Sequence, residues 1–437
     1  MVLADHLLLS TTRFSDASVD GDTMAIGSWS WLFAHTPAHI VWAGEEAVLV
    51  FFVLSGLVLA MPATRRPMRW RSYYPQRLLR LYLPVWGAVV FSVAMLYVAP
   101  RAASLGRSTW LNVQADVSPW EAVTDGLLLN GVGNLNTPLW SLQWEVAFSL
   151  LLPLYFFLAR SSARVAILRV AVILALVAVG TLIASPAVRL LPIFGLGVLI
   201  AFQREPLDAA AQWIEARDRS QARLIWTVLS VLTVILLTAR WTLGGLPGES
   251  PLLKAAGSGA MVFGACLTVM LAMYCPAARA ALERPSVQWV GKRSFSLYLI
   301  HEPIIVSLAF LLPTTFSPWR RGAITLAVVL AATILFYRLV EMPAHRLART
   351  AGRRAGRPAV PAAKAAVPAN EPAVPAAIAT VPANERAVPA NEPAVPANEP
   401  AVPANEPAVP AAIAAVTANE PAVPEDETDT AASMLGK

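Results

Sequence analysis

Ionisable residues that interrupt long apolar stretches are the places where this chain could do chemistry. A charge in the middle of a membrane span costs about 2.5–3.5 kcal/mol on insertion scales, so each one is a functional candidate by default. Asp5-His6 lies in the first apolar stretch, Glu45-Glu46 opens the second, Glu145 stands one turn into the run at 140–159, and His301-Glu302 interrupts the run at 294–312. A neutral imidazole near pH 7 accepts a proton from a hydroxyl, and a neighbouring carboxylate can orient it, which makes His6 the strongest candidate base. The competing reading of His6 is a structural histidine near a helix end. Glu145 reads equally as a working carboxylate or as one snorkelling to the surface behind Trp140 and Trp144. His301 is a second proton-handling candidate, or it hydrogen-bonds a neighbouring helix near the carbonyl that Pro303 frees. Glu45 and Glu46 stand where a helix dipole favours negative charge and read as caps. Arg77 and Arg80, at i and i+3, share one helix face and suit phosphates in fork geometry, against plain anchoring at a membrane surface. Cys266 and Cys275 form no metal-ligand spacing and read as embedded thiols.

The elements that must carry these groups follow from hydropathy. Of 437 residues, 56% are hydrophobic and only 14% charged, which predicts an all-α polytopic membrane bundle rather than a soluble domain. Apolar runs occupy 43–61, 82–99, 140–159, 165–184, 188–203, 223–240, 255–274, 294–312 and 321–340. Residues 1–10 read as the outer half of a further, truncated span, which makes about ten. Arg65, Arg66, Arg69, Arg71, Arg77 and Arg80 crowd one connection, and arginines beside a span mark the cytoplasmic side. The clusters Arg160–Arg169, Arg204–Arg223 and Arg279–Arg293 fall on that same side; Arg101, Arg107, Arg189, Arg240 and Lys254 are sparse positives opposite, and the Arg320-Arg321 pair runs against the scheme. The expectation is a multi-pass protein of the cytoplasmic (inner) membrane with both termini cytoplasmic and a lipid bilayer as its first partner. The net charge of +6 comes largely from these arginines and does not form a nucleic-acid-binding patch.

From Val367 the chain repeats in sevens, Val-Pro-Ala-Asn-Glu-Pro-Ala, at 367–373, 388–394, 395–401 and 402–408. Proline twice per repeat is incompatible with a helical heptad, so 351–437 reads as a disordered, Pro/Ala-rich, polyproline-like tail behind a membrane domain at 1–350.

The order of several short motifs resembles the integral-membrane acyltransferase family 3, whose members include O-antigen, exopolysaccharide and antibiotic O-acyltransferases. The matching pieces are His6 in the first span, Phe51-Phe-Val-Leu-Ser-Gly56, Arg77-Leu-Leu-Arg-Leu-Tyr-Leu-Pro84 and Pro138-Leu-Trp-Ser-Leu-Gln-Trp-Glu145. Further on come Leu191-Pro-Ile-Phe-Gly-Leu-Gly197, Gly291-Lys-Arg-Ser-Phe-Ser-Leu-Tyr-Leu-Ile-His301 and Val340-Glu-Met-Pro343. Leu49 stands where the family often has an acid, with Glu45 and Glu46 nearby, and the family's basic residue upstream of the histidine would precede this start. The resemblance implies transfer of an acyl group, most often acetyl, from acyl-CoA as co-substrate, without a metal, to a hydroxyl of a carbohydrate, glycolipid or glycosylated small-molecule acceptor. In that scheme His6 is the general base and Glu145 a second catalytic residue. Arg77 and Arg80 contact the coenzyme's phosphates, and Trp140, Ser141, Glu46 and His301 contact substrate. The outer connection at 100–139 would supply acceptor contacts from Trp110, Asp116, Trp120, Asn134 and Asn136. Two other classes fit the same bundle: a transporter of acylated sugars, though no internal repeat of broken helices is visible, and an inactive scaffold with a clipped first span.

Overall fold

The computed structural model describes residues 1–356 apart from 20–23, 105, 119, 130, 161–162, 247, 249 and 314, so the repeat tail lies outside the described residues. Within the described residues every regular element is helical. The elements that matter here are α1 (Val2–Leu9), α2 (Gly44–Arg65), α3 (Trp70–Val98), α4 (Glu121–Leu127), α5 (Trp140–Ala159), α6 (Ala163–Leu182), α7 (Pro186–Phe202), α8 (Arg204–Glu215), α9 (Arg219–Leu237), α10 (Pro251–Tyr274), α11 (Ser294–Leu311), α12 (Pro318–Phe336) and α13 (Met342–Ala355).

Eight helices among the described residues are long and apolar enough to cross a membrane, and a ninth is reached when α7 and α8, bent 70° apart, count as one. Helix α1, with 8 residues, is too short to cross alone. The second large run begins earlier than its hydropathy indicates. Helix α3 has 29 residues and carries Arg71, Arg77 and Arg80 on its first three turns, because arginine is a good helix former and hydropathy sees only the apolar remainder. Helix α12 likewise runs through a π-turn at Tyr337–Glu341 into the basic α13, which lies against α3.

Helix α11 is the axis of the bundle. Of its apolar window 67% is buried, against 11% for the peripheral α9. Helices α2 and α7 meet backbone to backbone: a Cβ on Gly56 would overlap the Phe194 carbonyl, and one on Gly197 would overlap the Val53 carbonyl. Only glycine permits that approach, which gives the Ser-Gly56 and Gly-Leu-Gly197 motifs their physical reason. Phe194 then stacks between Phe52 and Phe148, with ring centroids 4.4 and 4.3 Å away.

Prolines inside the spans free carbonyls that other elements fill. Pro303 deprives the Leu299 carbonyl of its helical donor, and Asn136 Nδ2 replaces it at 2.9 Å. Pro153 does the same to Ser149, whose carbonyl accepts from the Tyr73 hydroxyl at 3.3 Å. The connection after α3 does not stay at the end of the bundle. It folds back so that Gly126 lies on the Trp86 ring and the Leu127 carbonyl accepts from the Tyr82 hydroxyl at 2.9 Å. Tyr82 is 16 residues before Val98, about 24 Å along the helix at its normal rise, so α4 is a re-entrant element folded back along α3 rather than a loop beyond its end. Cys266 and Cys275 are both buried and unpaired.

Candidate functional site

Two polar centres lie along one side of the bundle axis, and α5 connects them. The first gathers around His6. Helix α1 packs on α11, which buries His6 to 1% exposure and stacks its ring on His301 at 4.9 Å and 27°. Trp110, from the short helix Thr109–Val113 at the far end of the bundle, closes over the imidazole with a centroid distance of 5.2 Å. His6 Nδ1 lies 3.5 Å from Glu302 Oε2. Glu302 is itself anchored, accepting from the Thr137 backbone N–H at 3.2 Å and from the Thr137 hydroxyl at 2.5 Å. A carboxylate at that distance favours, through its charge, the tautomer with the proton on Nδ1, which leaves Nε2 as the basic nitrogen.

His301 has a similarly defined tautomer. Its Nδ1 lies 2.8 Å from the Tyr298 carbonyl, which can only accept, so Nδ1 carries the proton and Nε2 is a buried lone pair without a hydrogen-bond partner among the described residues. The bond is to its own helix, not to a neighbouring one. The hydrogen bond across helices that Pro303 invites is made by Asn136 instead.

The second centre is at the arginine-rich end. Glu145, 1% exposed, is ion-paired with Arg77 and accepts from the Ser55 hydroxyl at 2.5 Å, while Arg77 Nε donates to Ser149 Oγ at 3.1 Å. Burial excludes a surface carboxylate. It also separates Glu145 from the imidazole: Glu145 is two helical turns beyond Thr137, about 12 Å by helical rise. The structure therefore joins Glu145 and Arg77 into one pair, held between α2, α3 and α5. Arg80, one turn on, lies within electrostatic reach of Glu341 and His345. Glu341 accepts from both the backbone N–H and the hydroxyl of Ser296, and so caps α11 from another helix.

Between the centres, Thr137, Ser141, Glu145 and Ser149 recur every fourth residue, and all four are buried. That spacing places them in one stripe facing the bundle interior. Ser141 Oγ lies 2.5 Å from the Tyr298 hydroxyl, which also donates to the Pro138 carbonyl. The result is a polar lane from Arg77 to Glu302, about 18 Å long by the same rise. Its spacing is visible in the sequence once a period of four is sought.

The remaining expected residues lie elsewhere. Trp140 packs edge-on to Phe52, with its Nε1 buried. Glu46 Oε1 faces His39 Nε2 at 3.3 Å, and the His39 ring lies between Trp42 and Trp241 at 4.4 and 4.5 Å. Glu45 does not simply cap α2; its two oxygens lie 3.8 and 3.7 Å from Arg189 and Arg240. Among the described residues no group of three or more His, Cys, Asp or Glu side chains is arranged to hold a metal.

Residues 10–338 match the acyltransferase domain that defines acyltransferase family 3. The chain belongs to that family. Among relatives of the family 3 protein is the acyltransferase MdmB of Streptomyces mycarofaciens, 27% identical over 352 residues, a match that covers 71% of this chain and 83% of the relative. No solved structure matches. Acyl transfer is the chemistry of the family, and its multiple apolar helices make this member a multi-pass membrane protein.

Glu302, Thr137 and Tyr298 are the site residues that sequence reasoning assigned no role. Glu302 was flagged only as half of the His301-Glu302 pair that interrupts an apolar helix. Thr137 and Tyr298 are ordinary in type, and only packing reveals them.

Proposed function

We propose that this protein transfers an acyl group, acetyl in the simplest case, from acyl-CoA to a hydroxyl of a carbohydrate-containing acceptor, with His6 as general base. The observation that carries the reading is the buried His6 imidazole held against Glu302 and roofed by Trp110. The acceptor O–H gives its proton to Nε2 as its oxygen bonds to the thioester carbonyl carbon. The C–S bond then breaks, and the departing thiolate takes the proton back from the imidazolium. Glu302 holds the ring in the required tautomer and stabilises the imidazolium while it exists. No covalent enzyme intermediate is needed.

The coenzyme approaches from the cytoplasmic end. Arg77 and Arg80 supply positive charge for its phosphates, with the exposed Arg65, Arg69 and Arg71 around them. The pantetheine arm follows the lane past Glu145 and Ser141, whose hydroxyls and carboxylate suit amide groups. Glu145 accepts from Arg77 and fixes its fork at the mouth of the lane rather than touching the imidazole. Incubating the purified protein with labelled acetyl-CoA and a bacterial glycolipid fraction tests the reading. Label transferred into the lipid or carbohydrate fraction supports it. Absence of transfer by folded protein contradicts it, and movement of solute across proteoliposomes without transfer would favour a transporter.

A further inference from the structure

The re-entrant segment brings to the His6 centre a set of polar groups that the proposed chemistry does not use. Asp125 is completely buried; its Oδ1 accepts from the Gly133 N–H at 2.7 Å, and its Oδ2 has no partner among the described residues. Arg101 donates through Nη1 to the Gln114 and Asn134 carbonyls at 3.0 and 3.1 Å, while its buried Nε and Nη2 have none. Burial lowers the Arg101 pKa, and Glu302 and Glu121 oppose that shift. Asn136, also completely buried, spends its amide nitrogen on Ser92 Oγ and the Leu299 carbonyl and leaves Oδ1 unpartnered.

These groups converge on one place. Asn136 precedes Thr137, which holds Glu302, and it bonds the turn of α11 just before His301. Arg101 bonds the Asn134 carbonyl and Asp125 accepts from the Gly133 N–H, so both are tied to the segment that runs directly into Asn136 and Thr137. Buried polar atoms are almost always satisfied, so several orphans around one centre mark a place where something else supplies the hydrogen bonds. Their mixture identifies the kind of partner. The set holds donors on Arg101 and acceptors on Asp125, Asn136 and His301, and a hydroxyl both donates and accepts. An apolar alcohol would leave most of them unmet, and a charged acceptor would find cation and anion already balanced.

We infer that Arg101, Asp125 and Asn136 form the acceptor subsite, gripping uncharged polar groups that neighbour the hydroxyl acylated. This rests on the proposed acyl transfer and names the residues that would select its acceptor.

The test is steady-state kinetics of Asp125→Asn and Arg101→Lys, with acetyl-CoA and the acceptor recovered from the labelling reaction varied in turn. The expected result is an acceptor KM raised at least tenfold in each variant, with the KM for acetyl-CoA within twofold of wild type. Asparagine is isosteric and can still accept from Gly133, and lysine keeps the charge while losing the fork. Equal rises in both KM values, or wild-type values for both, would overturn the subsite while leaving acyl transfer standing. If the wild-type protein transfers no label, acyl transfer itself fails and the subsite with it. Should neither variant accumulate as folded protein in a thermal-unfolding assay, these groups belong to the scaffold, and the inference is overturned.

Discussion

Replacing Glu302 with glutamine exchanges one oxygen for an NH2 group and should remove most of the activity. The native carboxylate receives two hydrogen bonds from Thr137 and faces His6 Nδ1 at 3.5 Å. A glutamine amide has only one acceptor oxygen. If that oxygen stays on Thr137, the NH2 group points at Nδ1, and two donors then confront each other. The imidazole escapes by moving its proton to Nε2, which abolishes the lone pair that the reaction needs. The lost charge acts in the same direction: at an effective dielectric of about 20, a carboxylate 3.5 Å from an imidazolium contributes about 4 to 5 kcal/mol. At about 1.4 kcal/mol per decade that is about a thousandfold in kcat. Thr137→Val is the milder companion, because it removes one hydrogen bond to the carboxylate and should cost about tenfold. The assay is transfer of labelled acetyl at saturating donor and acceptor, with thermal unfolding in detergent as the control for folding. A folded Glu302→Gln protein that keeps a tenth or more of wild-type turnover would refute the dyad.

Other expectations concern the frame around the site. Arg77→Ala leaves Glu145 buried without its cation and should destabilise the protein by about 3 kcal/mol or more, and adding Glu145→Leu in the same chain should recover much of that in thermal unfolding. Gly197→Ala forces apart helices in backbone contact and should cost about 3 kcal/mol in the same measurement, with Gly56→Ala comparable. Trp110→Ala removes the roof over the imidazole, so water should compete with the acceptor. Its signature is a higher ratio of free acetate to acylated product, while Trp110→Phe should stay close to wild type.

The legible part of this molecule was whatever hydropathy and residue type encode. The apolar runs correspond to helices because a bilayer requires every backbone group to be paired within its segment. Arg71–Arg80 hid the first turns of α3, since charge lowers hydropathy without breaking a helix. His6, His301, Glu145 and Arg77 stood out singly because each is expensive in an apolar setting. Their pairing did not: residues 6 and 302, or 77 and 145, become partners only through helix packing, which carries no signal in one sequence. The connection at 100–139 was the least legible. Its polar composition describes an outer loop, and nothing in it reveals that Trp86 and Tyr82 receive α4 along the side of α3. Asp125 and Arg101 were missed for that reason, whereas Asn136 was flagged for its type.

The central claim is that His6 removes the acceptor's proton. Single-turnover transfer from labelled acetyl-CoA by His6→Gln, with donor and acceptor both saturating, tests it most directly. The account predicts that the folded variant still binds the donor but transfers at less than about a thousandth of the wild-type rate, within the range ascribed to a general base. Transfer within tenfold of wild type would contradict it and move the chemistry away from the His6–Glu302 pair.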